Sequence, residues 1–196
     1  MKASNIKILV LLFSMFSSKL GAQVLSAIKP DYVVAQHAGS IGYMSAGIGY
    51  DLFRNERGSF EFNYGYVPED KGGRLSIVST KFAYRPIQIK VKDKATFYPL
   101  NPGLFFSYHF GEQFDIAFDR EQYGKSYYGW STAVRGHLSV SNEVKLHTRS
   151  KKNTLTLYSE FNASDLYLAS MFFKNNSQWL RPQDILKLGI GVKVGF

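Results

Sequence analysis

Residues Ala133 to His147 read AVRGHLSVSNEVKLH, and the parity of that stretch decides the fold. Val134, Gly136, Leu138, Val140, Asn142, Val144 and Leu146 fall on even positions, while Arg135, His137, Ser139, Ser141, Glu143, Lys145 and His147 fall on odd ones. An extended strand turns successive side chains to opposite faces. One face of this strand is therefore apolar enough to meet lipid, and the other is not.

The same rule predicts further strands. Gly58 to Tyr66 sets Phe60, Phe62, Tyr64 and Tyr66 against Ser59, Glu61, Asn63 and Gly65. Gly103 to Phe110 sets Leu104, Phe106, Tyr108 and Phe110 against Gly103, Ser107 and His109, with Phe105 out of pattern, and Asn153 to Asn162 sets Leu155, Leu157 and Phe161 against Thr154, Thr156, Tyr158, Glu160 and Asn162. Ser40 to Leu52, Arg74 to Arg85 and Asp165 to Phe173 are weaker strands of the same kind. The eighth is the C-terminus, where Leu186, Leu188, Ile190, Val192, Val194 and Phe196 alternate with Lys187, Gly189, Gly191, Lys193 and Gly195. A sandwich core gains little from a face of glycine and lysine, because glycine offers nothing to pack. In a narrow closed barrel, small inward residues make room for bulky ones.

Composition agrees with a barrel in a membrane. Aromatic residues make up 16% of the 196 residues, as expected where rings gather at two membrane interfaces. Mean hydropathy is only −0.17, because alternation dilutes the apolar residues, and no apolar run after the N-terminus approaches the roughly 20 residues of a membrane helix. There is no cysteine, which excludes disulfides, thiolate metal sites, a thiol nucleophile and a lipidated cysteine. Lys2 and Lys7, the apolar run Ile8 to Phe16 and Leu20-Gly21-Ala22 read as a cleavable signal over residues 1–22. With the three signal lysines removed, the formal charge falls from +9 to +6. The basic residues are scattered, and an exported barrel does not meet nucleic acid, so anionic lipid and lipopolysaccharide are the expected electrostatic partners.

The expected organisation is residues 23–39 as a periplasmic segment or an extra strand, then 40–196 as an antiparallel up-and-down transmembrane β-barrel, all-β and monomeric. Eight strands are predicted, or ten if Tyr32 to Gln36 and Phe114 to Phe118 are also strands. Counted back from a periplasmic Phe196, the eight put residues 174–184 outside and 111–132 inside, although long loops usually face outward.

In these features the chain resembles small bacterial outer-membrane barrels of the size of OmpX and the OmpA membrane domain. The last strand, closed by Phe196, is similar to the signal read by the β-barrel assembly machinery. Ala38-Gly39-Ser40-Ile41-Gly42, Ser45 to Tyr50 and Asn63-Tyr64-Gly65-Tyr66-Val67-Pro68 are similar to barrels common in the Bacteroidota. The resemblance implies an outer-membrane location and no activity.

Parity also sorts candidate functional residues. Lipid is expected against Phe60, Phe62, Leu104, Phe106, Leu138, Val140, Leu186, Leu188, Ile190 and Val192. The lumen is expected to hold Asp51, Glu61, Glu143 and Glu160 with Lys81, Arg85, Arg135, Lys145, Lys187 and Lys193, a mixture that permits pairing. His137, Ser139 and Glu143 share one face, the residue types of a hydrolase triad. Lipid A deacylases of the PagL type are similar in carrying His-x-Ser on a strand, but they present it to lipid, and their carboxylate spacing differs. Lumen filling is the simpler reading, and no cofactor is expected. His37, His109, His137 and His147 suggest no metal site, since the last two lie about 33 Å apart along one strand. Trp130 and Trp179 fit an interfacial belt, and Arg149-Ser150-Lys151-Lys152 a solvated turn. The expected role is structural or surface-interacting, with a narrow pore and a lipid A hydrolase as alternatives.

Overall fold

The computed structural model describes residues 29–111, 114, 131–147, 153–173 and 181–196. Among the described residues nine strands form: β1 (Tyr32–Ala38), β2 (Met44–Leu52), β3 (Gly58–Val67), β4 (Leu75–Tyr84), β5 (Ile89–Val91), β6 (Ala95–Phe110), β7 (Val134–His147), β8 (Thr154–Ser164) and β9 (Lys187–Gly195). All pairings are antiparallel. β9 pairs with β1 and β4 pairs with β6, so eight strands close on themselves, while among the described residues β5 pairs only with β6.

The register fixes the barrel's shape. Lys145 pairs with Thr156, and the line of partners continues through Lys193, Val34, Gly47, Asn63, Ser79 and Ser107 to Arg135. It thus returns to β7 ten residues from where it left, a shear of ten. With a rise of about 3.3 Å per residue and about 4.8 Å between strands, eight strands at that shear tilt by roughly 41° around a radius of roughly 8 Å. Ten residues then climb about 25 Å, the height of an apolar membrane band.

One open alternative is decided, one expected strand is replaced, and β5 with the Ala95–Pro102 part of β6 lies outside the expected strands. Tyr32–Ala38 is a barrel strand, wedged between β2 and β9. Asp165–Phe173 is a helix rather than the seventh strand. Its sequence, DLYLASMFF, is apolar at both parities after Asp165, so a strand there would have no polar face for the lumen. Asp165 ties its start to the barrel by accepting the Gly136 N–H through Oδ2. The exchange leaves eight strands but moves the connections. β6 ends and β7 begins at the end opposite Phe196, as β8 ends and β9 begins there. The connections 111–133 and 165–186 therefore both leave from that far end, which removes the expected conflict over 111–132. Residues 1–22, 115–118, Trp130, Trp179 and 149–152 lie outside the described residues.

The interior is built on size complementarity. A Cβ at Gly49 would lie 2.1 Å from the Tyr32 ring, and one at Gly191 would lie 2.5 Å from the Tyr158 ring. These glycines let two tyrosines cross a narrow lumen. At the far end the β1–β2 turn folds inward, burying Ile41, while Ser40 Oγ donates to Asn162 Oδ1 at 2.5 Å.

Candidate functional site

Seven strands contribute to a polar cluster across the lumen. Lys193 on β9 sits at its centre, with Nζ 2.8 Å from Glu61 Oε1 on β3 and 2.7 Å from Glu143 Oε1 on β7. Arg85, one residue past β4, reaches Glu143 Oε2 at 3.0 Å through Nε and Asp51 Oδ1 at 2.9 Å through Nη1. Its Nη1 also donates to the Glu56 carbonyl at 2.8 Å. Lys81 pairs with Glu160 Oε2 at 2.9 Å and donates to Gln36 Oε1 at 3.3 Å. Tyr158 donates to the same Gln36 oxygen, and Tyr32 donates to Glu61 Oε1.

Three carboxylates, Glu61, Glu143 and Glu160, and three cations, Lys81, Arg85 and Lys193, are buried together. Taking one such charge out of water costs several kcal/mol unless it is paired and hydrogen-bonded, so each of these six is in contact with a partner of opposite sign, while the fourth carboxylate, Asp51, is partly exposed. Aromatic rings supply a second set of partners. Lys193 Nζ lies 4.9 Å from the Tyr158 ring centre and 5.4 Å from that of Tyr32, and Lys81 Nζ lies 5.4 Å from that of Phe105.

Of the other residues assigned to the lumen, Asp51 joins the cluster through Arg85, and Lys145 pairs with Glu56 toward the Phe196 end. Arg135 is half-buried, and Lys187 is exposed at the far end of β9. The ten residues expected to face lipid all lie on the outer surface, from half-buried Phe60 and Val192 to Leu138 at 59% exposure. Near the far end this surface also carries Tyr64, Tyr66 and Phe110, and near the Phe196 end it carries Phe53 and Tyr84.

The His-Ser-Glu constellation is not brought together. His137 shares a 2.9 Å hydrogen bond between Nε2 and Ser107 Oγ rather than meeting Ser139, and its ring stacks on Phe105 at 4.2 Å. Glu143 is turned to Lys193 and Arg85. The other histidines are dispersed: His37 packs edge-on against Tyr43, His109 lies beside Phe114, and His147 shares a hydrogen bond with Thr96. Among the described residues no group of three or more His, Cys, Asp or Glu could hold a metal.

Sequence reasoning puts Tyr158 on the inner face of its strand but misses Tyr32 and Gln36 as lumen ligands. Their parity was readable, but in β1 the outward residues Val33, Ala35 and His37 contrast too weakly with inward Tyr32, Val34 and Gln36 to reveal the inner face.

Toward the Phe196 end a cavity of about 220 Å³ reaches Arg85, Glu143 and Lys193 from a mouth lined by Asp31, Lys145 and Thr154. Beside it, a recess of about 530 Å³ lies against the inner side of the β5–β6 hairpin, where Lys90, Thr96 and Tyr98 line it.

No protein-family model and no curated protein matches the chain. Among solved structures, the chain is similar to the porin NanC in a rhombohedral crystal form. The identity is 9% and the TM-score 0.27, with 84% of this chain and 98% of that one covered.

Proposed function

We propose that this chain is an integral outer-membrane barrel, exported through its N-terminal signal, with a structural or surface-interacting role in the envelope and no catalysis. The observation that carries the reading is the inversion of the barrel. Charges fill its inside, and apolar residues such as Leu138, Phe106 and Ile190 cover its outside. Water-soluble folds do the reverse, and a band about 25 Å tall between aromatic girdles suits a bilayer. The terminal strand and Phe196 serve delivery by the β-barrel assembly machinery. Its likeness to Bacteroidota barrels would set the protein in that kind of envelope. With Phe196 on the periplasmic side, the connections after Phe110 and Ser164 start on the exterior side, where contact with lipopolysaccharide or other partners is made. The protein acts as a monomer.

A second reading, a narrow pore for small polar solutes, is favoured by the cavity that runs in from the Phe196 end to Lys193. Conduction would require the Lys193, Glu61 and Glu143 contacts to part. Reconstitution into planar bilayers separates the two readings. The structural reading predicts protease-protected insertion without current steps, and reproducible single-channel steps would replace it with the pore.

A further inference from the structure

The barrel closes without the β5–β6 hairpin. β4 stops at Tyr84, and after Arg85 to Gln88 the strand β5 takes over beside β6, pairing Ile89 with Phe97 and Val91 with Ala95. β6 has 16 residues against ten in β3. At the barrel's tilt, the extra six climb about 15 Å. This surplus lies beyond the end of β4, on the Phe196 side.

The hairpin's two faces differ as the barrel's do. Gln88, Lys90, Thr96 and Tyr98 line the inner recess. Ile87, Ile89 and Val91 are about half exposed on the outside, and Phe97 lies beside them through its pairing with Ile89. Phe97 also pairs with Val144 on the outer face of β7, where the polar Asn142, which accepts from Ser159, comes before the apolar face resumes at Val140. Lys92 and Lys94 are exposed at the tip, with Asp93 between them. Apolar side chains left in water at this position would be a liability, whereas interfacial lipid accommodates them and places lysine at headgroup depth.

We propose that the β5–β6 hairpin is a lipid anchor. Its outer face beds into the headgroup boundary of the leaflet on the Phe196 side, and Lys92 and Lys94 contact lipid phosphates. The proposal rests on the membrane reading above. A partner strand added to the free edge of β5 is the weaker occupant, because that edge is three residues long and carries Lys90, a device that discourages strand pairing.

The absence of cysteine allows clean labelling. Full-length Ile89→Cys, Leu138→Cys and Asp70→Cys proteins would each carry one bimane in vesicles of phosphatidylglycerol and phosphatidylcholine brominated near the top of the acyl chain. Quenching at position 89 is expected to exceed that at the far-end turn position 70 by about threefold. Quenching at 138 with none at 89 above the level at 70 would overturn the anchor and leave the membrane reading standing. Absence of quenching at 138 would overturn both. Adding Lys92→Gln and Lys94→Gln is expected to reduce quenching at 89 about twofold and leave 138 unchanged; no change at 89 would overturn the phosphate contact.

Discussion

At the residue scale, Lys193 joins two buried carboxylates, Glu61 and Glu143. It is the only cation in salt-bridge contact with Glu61 among the described residues, while Glu143 also has Arg85. Replacing Lys193 with Met leaves a buried carboxylate without its counter-charge, a loss of about 3 to 5 kcal/mol. Adding Glu61→Gln removes the orphaned charge, so the double variant recovers much of that loss. Urea unfolding from lipid vesicles, followed by tryptophan fluorescence, checks both values. Equal stability of Lys193→Met and wild type would show that the cluster tolerates an unpaired carboxylate, contrary to the packing described here.

At the element scale, paired sizes on neighbouring strands hold the strands in place. β2 passes β1 with Gly49 beneath the Tyr32 ring. Gly49→Ala is expected to cost about 1 to 3 kcal/mol as an overpacking change. In a Tyr32→Ala background the same change should be close to neutral, which a double-mutant cycle measures. This scale also shows what was legible in the sequence. β7 and β9 were plain because their two parities differ sharply in polarity, Leu138 and Val140 against Ser139 and Ser141, or Ile190 and Val192 against Gly191 and Lys193. Asp165–Phe173 misled because its apolar residues suit a membrane strand, but they occupy both parities. β1 stayed ambiguous because Val34 faces the lumen and His37 faces out. The inward charges were readable from parity alone. Their partners were not, since Lys193 meets Glu61 across strands 132 positions apart in sequence, a contact that only the register and shear determine.

At the scale of the whole molecule, eight strands and a shear of ten give a lumen narrow enough for side chains to fill. The balanced ion cluster, the tyrosines lying across it and the inward turn at Ile41 all follow from that radius. Outside the lumen, the longer connections leave from one end, and the β5–β6 hairpin extends the wall at the other. The central claim is that β7 separates lipid from a filled polar interior, residue by residue. The most direct test is a nitroxide scan of positions 134 to 147 in lipid vesicles, recording collision with oxygen. The barrel predicts a two-residue period, with maxima at Leu138, Val140 and Val144 and minima at His137, Ser139, Ser141 and Glu143. Uniform accessibility along the strand, or maxima at the odd positions, would contradict it.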